Sequence, residues 1–348
     1  MPVLRSHPLS RRNFLKLSGA GLFGLLLTEL GVDPALALDS TGINQGRVAY
    51  ASVTINKEPA AQSDKVLTYK KDDLLNITTE VHGEKGNPYN DVWYRIGELG
   101  YVYSGWVQPV KTSFNQPASG IPRGGTLAEV TVPFTDTYRI NQQGLFTRSY
   151  RMYYQTTHWV TDVVESGNLI WYRLYDDLTG MYAFVLAEHL RLIPPEELTP
   201  LSPDVPESDK SILVDLEAQS VTAFEGKTQV LFARASTGTR NSPTWNGKFH
   251  TFHKRGSRHM SAGSGAAWFY DLPGVPWVSY ITDSGISFHG TYWHNDYGRP
   301  HSHGCINLPS ETANWIYRWT LPVVPPERRF KYTPGEGTIV QVIHKTPA

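Results

Sequence analysis

The residues whose types and spacing could carry chemistry lie between His289 and Asn307, around the only cysteine of the chain, Cys305. Phe288-His289-Gly290 is followed, sixteen positions after His289, by the cysteine of Ser302-His303-Gly304-Cys305-Ile306-Asn307. A lone cysteine is either a buried small hydrophobe or a reactive thiol, and the neighbouring imidazole and glycine favour a reactive thiol. A cysteine nucleophile needs an imidazole to raise its thiolate fraction, fixed donors for an oxyanion, and close backbone approach. The stretch therefore indicates acyl transfer.

The full pattern is more specific than these residue types alone. His-Gly, an intervening loop of residues 291–301, and Ser-His-Gly-Cys-hydrophobic-Asn together resemble the catalytic domain of L,D-transpeptidases, the YkuD family. The opening Ile212–Gly238, which ends in Ser-Thr-Gly, and the segment Ser242–Phe249, an altered Thr-Pro-x-Gly-x-Phe, extend the resemblance over Ser211–Lys345. The resemblance implies a mostly β catalytic domain.

The resemblance also implies roles for individual residues. Cys305 would be the nucleophile and His289 its general base, while His303 would orient the site or support the oxyanion hole. Gly304 would supply a backbone oxyanion donor. Gly290 stands where some members carry serine, so its carbonyl rather than a hydroxyl would orient the base.

Five further residues are candidates for shaping the site or binding substrate. Ser302 and Asn307 match motif positions that shape the cysteine loop. Arg299 is either a ligand for a substrate carboxylate or a solvated loop charge. Tyr292 and Trp293 either line the cleft or pack the loop, and packing is slightly favoured.

The substrate implied by the resemblance is the stem peptide of bacterial peptidoglycan, as donor and as acceptor. A Cys305 thioester would form with release of terminal D-alanine, and a second stem peptide would resolve it into a 3→3 cross-link. Resolution by water would make the protein an L,D-carboxypeptidase, and attack on another bond would make it a cysteine endopeptidase. A non-catalytic cell-wall-binding protein is the alternative from another class. The acceptor and the diamino acid stay open.

Several histidines near the cysteine raise the possibility of a metal site. His289, His294, His301 and His303 could ligate zinc with Cys305, but their spacing matches no usual zinc pattern. We therefore expect neither a metal nor another cofactor.

The composition favours strands and argues against nucleic acid as a partner. Aromatic residues make up 12% of the 348 residues, and aromatics are enriched in strands. Lys+Arg and Asp+Glu balance at 32 each, so no net positive field would attract a polyanion.

The N-terminal residues predict export. Ser10–Lys16 resembles a twin-arginine motif, the apolar run Leu17–Leu27 is too short to span a bilayer, and Ala35-Leu36-Ala37 offers a cleavage site. We predict a twin-arginine signal peptide at 1–37, no transmembrane span in the mature chain, and a location in the cell envelope, periplasm or wall.

An internal repeat follows the signal. Val92-Trp93-Tyr94-Arg95-Ile96 recurs 78 residues later as Ile170-Trp171-Tyr172-Arg173-Leu174. Both copies resemble bacterial SH3-like domains, at 46–113 and 124–194, with Gly105-Trp106-Val107 as the first copy's typical ending and Ala183-Phe184-Val185 at the equivalent place in the second. These domains would attach the enzyme to the cell wall or pack against the catalytic domain.

The remaining boundaries complete a mainly β, multidomain prediction: two small SH3-like β-barrels, a Pro-rich linker at 195–207, and a β-rich catalytic domain at 208–346. Gly83, Gly86, Asn87 and Pro88 predict a loop in the first repeat. One short helix is predicted after the cysteine, at Glu311 to Trp319, with Ser310 as its N-cap.

Overall fold

The structure is a computed structural model that describes residues 44–141, 145–263 and 270–344. The signal peptide predicted at 1–37 lies outside these residues. No helix in the described ranges is both long and apolar enough to cross a bilayer.

The first repeat forms a seven-stranded antiparallel sheet, which we call the first β module (residues 44–110), with strands in the order β3-β2-β6-β5-β4-β1-β7. A short 3₁₀ turn, Ser104–Trp106, joins β6 to β7. The core of the module includes Val48, Ile55 and Tyr94. The strands are β1 (Asn44–Val48), β2 (Ser52–Asn56), β3 (Lys65–Lys70), β4 (Leu74–Asn87), β5 (Asn90–Ile96), β6 (Gly100–Tyr103) and β7 (Val107–Val110).

The second repeat forms another seven-stranded sheet, the second β module (residues 126–192), in the order β10-β9-β13-β12-β11-β8-β14. Each strand occupies the place of the strand seven numbers lower in the first module, and a 3₁₀ turn, Ala187–His189, again precedes the last strand. The sequence repeat is therefore a structural repeat. The strands are β8 (Thr126–Val130), β9 (Phe134–Ile140), β10 (Phe146–Tyr153), β11 (Thr157–Ser166), β12 (Leu169–Tyr175), β13 (Tyr182–Leu186) and β14 (Leu190–Leu192).

Two details of the predicted repeat were wrong. Ala183-Phe184-Val185 lies inside strand β13, whereas Gly105 and Trp106 lie in the 3₁₀ turn, so the true counterpart of Gly105-Trp106-Val107 is Glu188-His189-Leu190. Of the loop predicted at Gly83, Gly86, Asn87 and Pro88, only Pro88 lies in a turn, because strand β4 continues to Asn87. Glycines in a strand mark close approach of other atoms, and a Cβ on Gly86 would lie 2.1 Å from the ring of Tyr103.

Residues 210–343 form two five-stranded sheets, in the orders β17-β16-β15-β24-β18 and β22-β21-β20-β19-β23. The last strand, β24, returns to pair in parallel with the first, β15, which closes the domain on itself. The strands are β15 (Lys210–Asp215), β16 (Ser220–Glu225), β17 (Thr228–Arg234), β18 (Gly247–His250), β19 (His253–Ala262), β20 (Tyr270–Tyr280), β21 (Ser287–Gly290), β22 (Ile306–Leu308), β23 (Phe330–Tyr332) and β24 (Ile339–Ile343). The mainly β, multidomain prediction is confirmed.

One α-helix lies in the described ranges, α1 (Ser310–Trp319), and it packs on β20 and β21. Pro309 is its N-cap and gives no side-chain hydrogen bond, so the predicted cap at Ser310 was wrong by one residue. At the other end, buried Lys210 donates to the Trp319 carbonyl over 3.2 Å, and buried Lys254 donates to the Thr320 carbonyl. Cations at a helix C-terminus bind its free carbonyls and interact favourably with its dipole. The two lysines therefore help to hold α1 against β20 and β21.

The Pro-rich segment 195–207 is attached to this helix rather than free. It contains a 3₁₀ turn, Pro195–Leu198, and Leu198 and Leu201 pack against the core of the two sheets. The Thr199 carbonyl accepts a 2.9 Å hydrogen bond from Arg318 of α1. The segment therefore acts as a stiff junction.

Candidate active site

Strands β21 and β22 bring the two predicted catalytic residues together. They pair in parallel, with His289 opposite Asn307 and Phe288 opposite Ile306. Cys305 immediately precedes β22, so this register places its thiol beside the His289 imidazole. The pairing is anchored by Phe288, Ile306 and Leu308, which are fully buried.

The thiol and the imidazole form a polar pair in a largely buried setting. Burial disfavours the thiolate of Cys305, but the hydrogen bond and the charge of His289, together with hydrogen bonds from Ser287, outweigh it, and the pKa of the thiol falls below its ordinary value of 9.0. His289 is 2% exposed, and its Nδ1 donates to the Gly290 carbonyl over 3.0 Å. This bond leaves Nε2 for the thiol, so the glycine carbonyl orients the imidazole.

Three residues that the sequence interpretation did not single out also surround the thiol. The hydroxyl of fully buried Ser287 lies 3.7 Å from Sγ, and the thiol donates to the Gly285 carbonyl over 3.6 Å. Burial, and to a lesser degree the charge of Cys305, raise the pKa of Tyr270. Ser287 could have been found, because residues two apart in a strand share a face, and it precedes His289 by two.

The cysteine loop is held from within by Ser302. Its hydroxyl donates to the Cys305 carbonyl over 2.5 Å and accepts the Gly304 N–H over 3.1 Å. Gly304 has φ +116°, a conformation that side chains rarely adopt. Because its N–H is engaged by Ser302, Gly304 would have to release this bond before acting as the oxyanion donor that the sequence predicted.

Thr244 braces the same loop from outside. Its hydroxyl donates to the Gly304 carbonyl over 2.7 Å and accepts the Gly238 N–H over 2.9 Å. Thr244 is buried and lies in the altered Thr-Pro-x-Gly-x-Phe segment. That segment therefore contributes a threonine that ties the Ser-Thr-Gly turn to the cysteine loop.

Asn307 and His303 lie on different sides of the cysteine. Asn307 is buried, and its carboxamide lies 2.9 Å from Nε2 of His294. Nδ1 of His294 accepts the Asp296 N–H, so the ring is neutral, and burial lowers its pKa to about 3. His303 is exposed, and its ring lies 5.6 Å from that of Tyr270, at the open face of the site.

The other candidate residues do not converge on the thiol. Arg299 forms an ion pair with buried Asp296 over 2.5 Å and lies over the ring of Trp106. Tyr292 is buried, stacks on Tyr153 with ring centroids 5.1 Å apart, and so packs the loop. Of these three, only Trp293 lies next to the Cys305–His289 pair, with its ring 5.7 Å from that of His289.

The histidines near the site are occupied by protein groups. His294 holds Asn307, and His301 pairs with Asp296 over 3.0 Å. Across residues 44–141, 145–263 and 270–344, no three His, Cys, Asp or Glu side chains are arranged to hold a metal ion.

Comparison with known proteins agrees with the motif. Residues 209–342 match the YkuD family, described as the L,D-transpeptidase catalytic domain. No curated protein matches the chain.

Solved structures of L,D-transpeptidases are similar over parts of the chain. A cysteine-to-serine mutant from Enterococcus faecium is 24% identical over 39% of this chain and 50% of its own, with a TM-score of 0.32. An enzyme from Mycobacterium smegmatis is 16% identical over 53% and 98%, with a TM-score of 0.33. One from Stackebrandtia nassauensis is 19% identical over 44% and 65%, with a TM-score of 0.29. This chain thus spans only half the length of the Enterococcus protein. Residues 209–342, which hold the strands that position Cys305 and His289, are an L,D-transpeptidase catalytic domain of the YkuD family.

Proposed function

We propose that the protein is a peptidoglycan L,D-transpeptidase that forms 3→3 cross-links through a Cys305 thioester. The observation that carries the proposal is the Cys305–His289 pair within the matched domain, where the imidazole lowers the pKa of a thiol that burial would otherwise keep protonated.

In the first step, the Cys305 thiolate attacks the carbonyl carbon of the third residue of a donor stem peptide. The sulfur–carbon bond forms, the amide bond to the terminal D-alanine breaks, and the D-alanine amine leaves with the proton held by His289. The Gly290 carbonyl supports this proton transfer, because its hydrogen bond to Nδ1 aims Nε2 at the reacting atoms.

In the second step, the side-chain amine of the acceptor's diamino acid attacks the thioester. The new amide bond forms, the sulfur–carbon bond breaks, and His289 accepts the amine proton. We assign the oxyanion donor to the N–H of Cys305, because the N–H of Gly304 is bound to Ser302.

The test is incubation of the purified protein with a disaccharide-tetrapeptide, followed by mass spectrometry. We expect a dimer that has lost one D-alanine, and none with Cys305→Ala. A tripeptide monomer alone would show that water resolves the thioester, making the protein an L,D-carboxypeptidase. Cleavage at another bond would identify an endopeptidase.

A carbapenem provides a separate test of whether the domain is catalytic at all. The β-lactam carbonyl should acylate Cys305 and add its full mass to the wild type but not to Cys305→Ala. Absence of both adduct and turnover would favour the non-catalytic wall-binding protein.

The pH dependence of acylation provides a further prediction. Because the pKa of the thiol is lowered, the acid limb of the rate profile should lie below pH 9.0, the ordinary value for a thiol. The apparent pKa values belong to the Cys–His pair as a whole. An acid limb at the position of a free thiol would contradict the proposed pair.

We further propose that the protein is exported by the twin-arginine route and that the two β modules are SH3-like domains that contact the cell wall. Support comes from the Arg11-Arg12 motif and the repeated sheet topology. Co-sedimentation of the mature Cys305→Ala protein with purified sacculi tests wall binding without turnover. Recovery in the supernatant would contradict it.

A further inference from the structure

The loop between the two catalytic motifs, which we call the crossover loop (residues 291–301), is built around a buried carboxylate. The Asp296 side chain is 0% exposed. Its Oδ1 accepts hydrogen bonds of 2.7 Å from Asn87 and 2.7 Å from the Tyr103 hydroxyl, both in the first β module. Its Oδ2 pairs with His301 and Arg299 of the loop itself. The carboxylate thus joins the module to the loop.

Backbone contacts anchor the loop to the same module on both sides of Asp296. The Asn295 N–H donates to the Gly105 carbonyl over 2.9 Å. The buried guanidinium of Arg47 donates to the Tyr292 carbonyl over 2.5 Å. Asn87 also donates to the Tyr297 carbonyl over 3.2 Å. The loop is therefore held at several points rather than at one.

Glycines in the first module make room for this contact. A Cβ on Gly105 would lie 2.5 Å from the Tyr103 ring and 2.8 Å from Oδ1 of Asp296. A Cβ on Gly86 would lie 2.1 Å from the same ring. Because atoms this close must move, any larger residue would displace the tyrosine that holds the carboxylate.

The anchored loop leads directly to the catalytic pair at each end. Its first residue follows Gly290, whose carbonyl orients His289. His294, in its middle, holds Asn307, two residues beyond Cys305. His301, at its end, precedes Ser302, which holds the Cys305 carbonyl. A shift of the loop would therefore move the imidazole relative to the thiol.

We propose that the first β module positions the catalytic pair, with Tyr103 and Asn87 as positioning residues that act through Asp296. The inference rests on the proposed role of Cys305 as the nucleophile. Neither residue touches the reacting atoms. Their effect is to keep His289 where it lowers the pKa of the thiol.

The test uses the fact that Cys305 is the only thiol of the chain. The rate of alkylation by iodoacetamide, measured against pH on the mature protein, then reports the thiolate of this residue alone. We expect Tyr103→Phe and Asn87→Ala each to lower the rate at neutral pH by about threefold to tenfold, as remote residues that couple to a site do. The midpoint of the profile should also move toward higher pH.

Tyr101→Phe is the matched control, since Tyr101 lies in the same strand, β6, and makes no hydrogen bond to the loop in the described part of the chain. Its profile should equal that of the wild type. Far-ultraviolet circular dichroism must match the wild type for each variant. Asn87→Ser removes the same contact with a polar residue, in case Asn87→Ala does not fold.

A double-mutant cycle separates this mechanism from general loosening. If Tyr103 acts through Asp296, adding Tyr103→Phe to Asp296→Ala, which leaves no side-chain acceptor, should slow alkylation no further. A wild-type profile for both Tyr103→Phe and Asn87→Ala, or fully additive effects in the cycle, would overturn the proposal. Because alkylation needs no peptidoglycan, this outcome is independent of whether the cross-linking assay succeeds.

Discussion

The two β modules share one topology but make their polar contacts with different parts of the catalytic domain. The first holds the crossover loop through Asp296 and the Tyr292 carbonyl. The second contacts β19, where His259 and its neighbouring arginines meet Asp176 and Asp177. The first module therefore holds the connection between the catalytic motifs through hydrogen bonds. The second module contacts this connection through the stack of Tyr153 on Tyr292 and forms its ion pairs with β19, farther along the sheet.

Different residues at equivalent positions of the two modules explain why their polar contacts differ. Arg47 lies opposite Gln108 where β1 meets β7, and Glu129 lies opposite Arg191 where β8 meets β14. The same cross-strand site thus carries a buried cation in one module and a partly exposed acid in the other. At the middle of the 3₁₀ turn, Gly105 corresponds to exposed Glu188. A duplicated scaffold acquires distinct contacts through such substitutions, without any change of strand order.

The largest expected effect comes from the pair Arg47 and Glu129. Arg47→Met removes a buried guanidinium that bonds Gln108, Asp72 and the Tyr292 carbonyl. Breaking a buried pair costs about 3–5 kcal/mol. Asp72 keeps a 3.1 Å ion pair with Arg151 in this variant. We therefore expect the free energy of unfolding, measured by urea denaturation, to fall by about 3 kcal/mol, the lower end of this range.

Glu129→Gln is the control at the equivalent place. It weakens a partly exposed ion pair with Arg191, so we expect the free energy of unfolding to fall by about 1 kcal/mol or less. Equal losses for the two variants would mean that Arg47 contributes nothing beyond an ordinary surface pair, and that the asymmetry between the modules is only apparent.

A smaller effect is expected at the 3₁₀ turns. Gly105→Ala should displace Tyr103 or Asp296 and cost about 1–3 kcal/mol, as overpacking does. The Asn295 amide, which donates to the Gly105 carbonyl, should exchange faster with deuterium. Glu188→Ala should change stability by only about 0.5 kcal/mol, because the side chain is exposed. An unchanged Asn295 amide in Gly105→Ala would show that the loop does not depend on this contact.

The sequence predicted the repeat and the pairing of His289 with Cys305 for physical reasons. The Trp-Tyr-Arg segments fill the same strand position in each module, β5 and β12, so a local pattern was sufficient. His289 and Cys305 lie in contiguous motifs whose residue types already indicate the chemistry. In the second module, the predicted alignment matched Phe184 of strand β13 to Trp106 of the 3₁₀ turn in the first module. This was wrong because an apolar strand residue and the aromatic residue of a turn look alike in sequence.

The contacts between modules and loop could not be predicted from sequence. Tyr103 and Asp296 are separated by 193 positions, and no local pattern connects them. Gly83 and Gly86 predicted a loop, since glycine is common in turns. Their actual reason is long-range, because they admit the rings of Trp93 and Tyr103 against strand β4.

The smallest expected effect is an opposite pH dependence at the two interfaces. Burial raises the pKa of Asp296, but hydrogen bonds from His301, Tyr103 and Asn87 and the charge of Arg299 outweigh it and lower the pKa to about 2. A lowered carboxyl pKa stabilises the folded state above the ordinary value of 3.8, and this contribution is lost as the pH falls toward about 2. The first interface should therefore loosen in acid.

His259 at the second interface behaves in the reverse sense. Burial lowers its pKa, but hydrogen bonds and charges from Asp176 and Asp271 outweigh it, so the pKa is raised above 6.5. Its contribution is fully present below pH 6.5 and is lost as the pH rises through the raised value. Amide exchange separates the two interfaces, because the Asn295 N–H donates to Gly105 and the His259 N–H donates to Asp177.

After correction for the intrinsic pH dependence of exchange, protection of the Asn295 amide should fall progressively as the pH drops from 3.8, the ordinary carboxyl value, toward about 2, the value for Asp296 in the folded protein. That of the His259 amide should fall as the pH rises above 6.5. Asp296→Asn should remove the first dependence and leave the second, and His259→Asn should do the reverse. Parallel changes at both amides in the wild type would mean that the modules dock as one unit, and the functional division between them would then be untenable.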